Sequence, residues 1–252
     1  MLLTPLEQFQ IITLFSFKLF FLDFSFTNLF LINLITLLGF SYLISILLEK
    51  DGTFFLIPNT WQVLVETLYE TTSQLLFDSI NVEGEKYFPF ISVIFTFILL
   101  ANLSGLIPYS FTITSHLIIT FSLSLSIFIG VNIICLKKYK FVMLSLFIPS
   151  NTSFLLALLL VPIEFVSYIF KPISLGVRLF ANLMAGHTLL KVIVGFAWSM
   201  LLLDDLLLSL THLLPLLILI LLMGLELGVA IIQAYVFTIL TCIYLNDSIN
   251  LH

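Results

Sequence analysis

A single arginine, Arg178, occurs among 252 residues, and charged residues of all kinds make up only 9% of the chain, against about 25% in an ordinary soluble domain. That scarcity excludes a water-soluble fold. The net charge of −5 is spread thinly, and no basic run is long enough for nucleic acid, so no nucleic-acid partner is expected. Two cysteines, Cys135 and Cys242, lie in apolar surroundings, where they read as small core residues without a disulfide or a metal. No phosphate loop, metal cluster or nucleophile constellation is visible. The chain by itself is therefore expected to hydrolyse nothing and to need no cofactor. Its first ten residues lack the positive region and small-residue cleavage pattern of a secretory signal. With Glu7 and no arginine they do not read as an import sequence either.

What fills the chain is hydrocarbon. Hydrophobic residues account for 61% of it and the mean hydropathy is +1.23, which places it in a lipid bilayer. The length supplies about five or six apolar segments of membrane-spanning size, an all-α integral membrane protein packed as a single domain over residues 1–252. After an N-terminal segment, 1–25, residues 26–48 form the first membrane helix. A loop with Gly52 and Pro58 follows. Residues 60–80 then space Glu66, Glu70 and Asp78 among regular Leu, Val and Phe, which predicts an amphipathic helix on the membrane surface or against soluble partners. A solvated loop helix is the plainer alternative.

Residues 87–136 read as a transmembrane hairpin turning near Pro108, with Lys137, Lys138 and Lys140 at its far end. By the positive-inside rule those lysines mark the cytoplasmic or matrix face, which puts the N-terminus on the opposite one. Asn102, Ser104 and His116 could line water there, or bond locally. Residues 153–246 hold two apolar runs separated by Asp204 and Asp205. A helix of about 40 residues is about 60 Å long, twice the hydrocarbon thickness, so a strongly tilted helical hairpin is expected. Four short upright spans with re-entrant links are the alternative.

The first of these runs carries the chemistry. On a regular helix Glu164, Ser167, Lys171, Ser174, Arg178 and Asn182 fall within about 40° of one line. A guanidinium at bilayer depth costs about 3 kcal/mol on insertion scales, so Arg178 should face a partner or water and have a function. His187 projects about 180° away from it, toward a different neighbour. On the last helix Glu226 and Gln233 share one face, and Gly224 and Gly228 the opposite one, where close helix approach is possible. An unpaired membrane carboxylate must protonate or find a partner, and His187 is the candidate. Together the two could hold and release protons.

The runs KPISLGVRLFANLMAGH, Lys171 to His187, and GLELGVAIIQAY, Gly224 to Tyr235, closely resemble subunit a of the F-type ATP synthase. So do WQVLVE near residue 61 and LIPYSFTITSH, Leu106 to His116. The resemblance covers nearly the whole chain. It implies a stator beside a rotating ring of c subunits, with peripheral-stalk and other membrane-sector partners, and with the long hairpin facing the ring. By position Arg178 resembles the family's essential arginine, with Asn182 and Gln233 as polar neighbours. Glu164, Ser167 and Ser174 resemble the lining of the half-channel to the matrix, and His187 and Glu226 that of the other half-channel. Bacterial members often exchange the acid and the histidine, so this arrangement resembles the mitochondrial form of the inner membrane. The bacterial aspartate on the hairpin is replaced by Gly105. Two other classes fit buried charges less well: a secondary transporter would show hydropathy repeats, which are absent, and a purely structural subunit would need no polar stripe.

Overall fold

The computed structural model describes residues 7–19, 22–48, 60–107, 110–140, 154–202, 211 and 213–249. The loop with Gly52 and Pro58, the turn at Pro108 and the turn at Asp204 and Asp205 lie outside them. The described chain is a helical membrane protein. Four stretches, Gly84–Gly105, Leu117–Tyr139, Leu156–Leu201 and Leu213–Ile249, are long and apolar enough to cross a bilayer.

Before the first helix, where no strand was expected, two short antiparallel ladders form. β1 (Thr13–Phe15) pairs with β4 (Phe26–Thr27), and β2 (Lys18–Leu19) with β3 (Leu22–Asp23) nested inside it. Asn28 fastens this hairpin to helix α1 (Asn28–Leu48). Its Oδ1 accepts from the amides of Ile12 and Leu29 at 3.2 and 2.9 Å, and its Nδ2 donates to the Gln10 carbonyl at 3.1 Å. An asparagine at a helix start satisfies an amide that would otherwise have no acceptor.

Helix α2 (Thr60–Ile80) has the bounds its spacing predicts. Thr72, Leu75, Leu76 and Ile80 bury its second half, while Trp61, Leu64 and Tyr69 leave the first half exposed. A 3-10 segment leads into α3 (Phe88–Gly105), and α4 (Leu117–Tyr139) follows it in the chain. Each long C-terminal run is one unbroken helix, which disposes of four short spans. α5 (Phe154–Leu201) has 48 residues and continues through Pro162 and Pro172, and α6 (Leu213–Ile249) has 37. At its end the Ile249 carbonyl accepts from Lys138 Nζ at 3.0 Å and from the Tyr139 hydroxyl. Two side chains of α4 thus supply donors that a helix C-terminus lacks within itself.

Contacts divide the chain into two compact units. The first comprises Met1–Thr53, Thr96–His116 and Phe180–Ala234, with Ile98, Ala101, Ile113, Leu183 and Ala230 in its interior. The second comprises Phe54–Phe95, Leu117–Leu179 and Tyr235–His252, with Leu76, Ile91, Ile127, Leu175 and Leu245 buried. Lipid offers no hydrophobic drive between helices, so small residues that permit close approach govern packing. In the second unit that residue is Gly176, whose absent Cβ would lie 2.7 Å from Ser124 Oγ and 3.1 Å from Phe121 Cα. This approach sets the seat of α5 on α4 two residues before Arg178. By contrast nothing lies within 4 Å of a Cβ built on Gly224 or Gly228. Their face of α6 is open, so the close helix contacts of this chain are made elsewhere.

Candidate functional site

In the second unit the polar line of α5 turns away from the packed interior. Leu175, Gly176 and Leu179 are buried, whereas Ser167, Ser174 and Arg178 are exposed and Glu164 and Lys171 half-buried. The two serine hydroxyls donate to their own helix, Ser167 to the Glu164 carbonyl at 2.8 Å and Ser174 to the Lys171 carbonyl at 2.9 Å. Their oxygens retain lone pairs to offer outward. No ion pair among the described residues includes Arg178. Its guanidinium is presented on a helix face with room for a partner.

The first unit holds a different arrangement. Asn182 is exposed on α5, but Glu226 and Gln233 lie on the buried face of α6, with Ala230 and Ala234 between and beside them. His187 Nδ1 and Glu226 Oε1 are 3.4 Å apart, and the Glu226 residue is only 5% exposed. Their closeness depends on Gly186. A Cβ there would stand 2.8 Å from Glu226 Oε1 and 3.2 Å from its Cδ, so the carboxyl occupies the space a side chain would fill. The Phe9 ring meets the imidazole edge-on, with centroids 6.4 Å apart.

Asn102, fully buried on α3, donates from Nδ2 to the Ala230 carbonyl at 3.2 Å. This long-range bond, one turn from Glu226, contrasts with the local bond that Ser104 makes two residues on. Asn102 Oδ1, His187 Nε2 and both Glu226 oxygens are buried without a hydrogen-bond partner. Buried polar groups are rarely left so, and each can be satisfied by water or a transferred proton. Near Asn102 on the same helix, Gly105 leaves little room for a side chain. A Cβ on Gly105 would fall 2.4 Å from Thr112 Cγ2 and 3.2 Å from Thr112 Cβ.

Sequence reasoning singled out His187, Glu226 and the polar line. It missed Gly186, which carries no chemistry of its own, and Tyr168, Tyr244 and Asp247, which gather around Lys171. The signal for the latter was the spacing Y-x-x-K in α5 and Y-x-x-D in α6, which places ring and charge on one face of each helix. No group of three or more possible metal ligands occurs among the described residues.

Residues 26–246 match the family model described as ATP synthase A chain. The chain belongs to this family. ATP synthase subunit a of Pylaiella littoralis is 56% identical over 249 residues, covering 99% of both chains. That of Chondrus crispus is 49% identical over 251 residues, covering 99% of this chain and 97% of the relative. That of Oenothera berteroana is 50% identical over 254 residues, with 99% and 90% covered. The matched span takes in every family motif quoted above, from α2 to Gln233.

Proposed function

We propose that this chain is the proton-conducting stator subunit of the membrane sector of an ATP synthase, and that ATP chemistry belongs to its partner subunits. The observation that carries the proposal is the His187–Glu226 pair, 3.4 Å apart and largely enclosed, in the same unit as the buried Asn102 and Gln233. A structural subunit has no use for an incompletely bonded carboxyl at that depth. A proton carrier does.

Two half-channels serve the two membrane faces. His187 and Glu226, with Asn182 and Gln233 nearby in the same unit, load protons onto a carboxylate carried by each subunit of the c ring. Once neutral, that acid can face lipid and the ring turns on. Glu164, Ser167 and Ser174 line the second half-channel, which takes the proton away. Arg178 then receives the bare carboxylate, and its permanent charge bars protons from passing directly between the channels. Each proton that crosses 100 mV delivers about 2.3 kcal/mol, which a leak would waste.

The chain works in the mitochondrial inner membrane, as one membrane domain, with its N-terminus toward the intermembrane space and its C-terminus toward the matrix. Support for that orientation comes from Lys137, Lys138 and Lys140 at the end of α4 and from the bond between Lys138 and the end of α6. Partners are the c ring, the peripheral stalk and other membrane-sector subunits, embedded in the bilayer.

The test uses the assembled complex in sodium-free vesicles, with ATP-driven acidification followed by a pH-sensitive dye. His187→Ala and Glu226→Ala should each slow proton uptake several-fold while the ring stays assembled. Full activity in both variants would remove the loading role, and acidification that requires sodium would remove the proton.

A further inference from the structure

Lys171 stands on the polar line of α5 but does not act as an isolated charge. Its Nζ is 3.4 Å from Asp247 Oδ2 on α6, and it lies 5.5 Å from the centre of the Tyr168 ring and 5.0 Å from that of Tyr244. Tyr168 is itself fixed: its hydroxyl donates to Asn132 Oδ1 on α4, and its ring packs against Phe128 with centroids 4.9 Å apart. Asp247 is fixed too, because Ile249, two residues on, is held by Lys138 and Tyr139. Groups from two helices therefore meet at one ammonium, and a third helix holds Tyr168 in place. Cation-to-ring contacts add to the ion pair and keep the lysine from swinging away.

Arg178 lies seven residues beyond Lys171, about 20° round the helix and about 10 Å along it. Tyr244, whose ring lies under the Lys171 ammonium, stands three residues before Asp247 on α6. An acid within the field of Arg178 presents a difficulty, because Arg178 must remain available to a carboxylate from another chain. Among the described residues, the only ion pair of Asp247 is with Lys171.

We propose that Lys171 is a positioning residue that occupies the Asp247 carboxylate, so that this acid does not compete with the ring carboxylate for Arg178. The claim rests on the proton-conducting role proposed above. The group paired with Asp247 is Lys171, and the Tyr168 and Tyr244 rings lie about its ammonium. Losing the lysine charge leaves the aspartate side chain without its counter-ion and able to turn toward the arginine. Removing the aspartate as well abolishes the competitor.

The experiment measures ATP-driven proton pumping per assembled complex for Lys171→Gln, Asp247→Asn, the double variant and Lys171→Arg. Lys171→Gln is expected to lower pumping several-fold. Asp247→Asn and Lys171→Arg are expected to pump near the wild-type rate, and the double variant to recover most of what Lys171→Gln loses. A clasp that merely holds helices together predicts the reverse: Asp247→Asn as damaging as Lys171→Gln, and no recovery in the double. That pattern, or undiminished pumping in Lys171→Gln, overturns the proposal and leaves the proton-conducting role standing. Absence of pumping in the wild-type complex would instead overturn the role itself.

Discussion

Arg178→Ala is expected to abolish ATP-driven proton pumping in a complex that still assembles. Assembly should survive because the side chain is exposed and the residues that seat this turn of α5 are its neighbours Leu175, Gly176 and Leu179. Exposed substitutions away from packing usually change stability by less than about 0.5 kcal/mol. Function should not survive, because no other arginine exists in the chain to replace the lost charge. A carboxylate brought to this face would then lack its counter-ion at a depth where an unpaired charge costs several kcal/mol. Lysine is expected to rescue poorly. Its ammonium can lose a proton when desolvated, and it cannot offer the planar pair of donors that matches a carboxylate. Acidification of vesicles read beside subunit content decides the matter, and undisturbed pumping in the alanine variant would remove Arg178 from the mechanism.

The second large effect is expected from a change that adds one methyl group. Gly186→Ala should favour the helix, since alanine exceeds glycine in helix propensity by about 1 kcal/mol. The new Cβ meets only the tip of the flexible Glu226 side chain, 2.8 Å away at Oε1, so the fold can accommodate it by turning the carboxyl aside. That turn separates Glu226 from His187. Misplacing a reacting group by about 1 Å can cost a hundredfold in rate, so proton uptake should fall by about tenfold or more while thermal stability holds or rises. Pumping rates and unfolding temperatures measured on the same preparation test this directly. A variant that is both stable and fully active would show that the pair need not touch.

Hydropathy made the membrane helices legible, because a charge-free run of about 20 residues has few other uses. The bounds of α2 were legible as well, since Glu66, Glu70 and Asp78 repeat with a helical period among apolar residues. His187 and Glu226 could be paired on paper because an acid in an apolar run demands a partner and few were on offer. The strands at Thr13–Phe15 and Phe26–Thr27 were not legible. They are two and three residues long, and what fixes them is Asn28, a residue outside the pattern. The Lys171 cluster escaped for another reason. Asp247 follows directly on the expected end of the last helix at residue 246, where an acid looks solvated, and only the three-dimensional path of α6 brings it to α5. Gly186 and Gly176 look like spacers in sequence, and the glycines that did attract notice, Gly224 and Gly228, face open space in this chain.

Thr112 standing where a side chain on Gly105 would go has a consequence for the order in which the two positions can change. A Cβ added at 105 would lie 2.4 Å from the threonine methyl and 3.2 Å from its Cβ. Room has to be made first, so Gly105→Ala should be better tolerated on a Thr112→Ser background than alone.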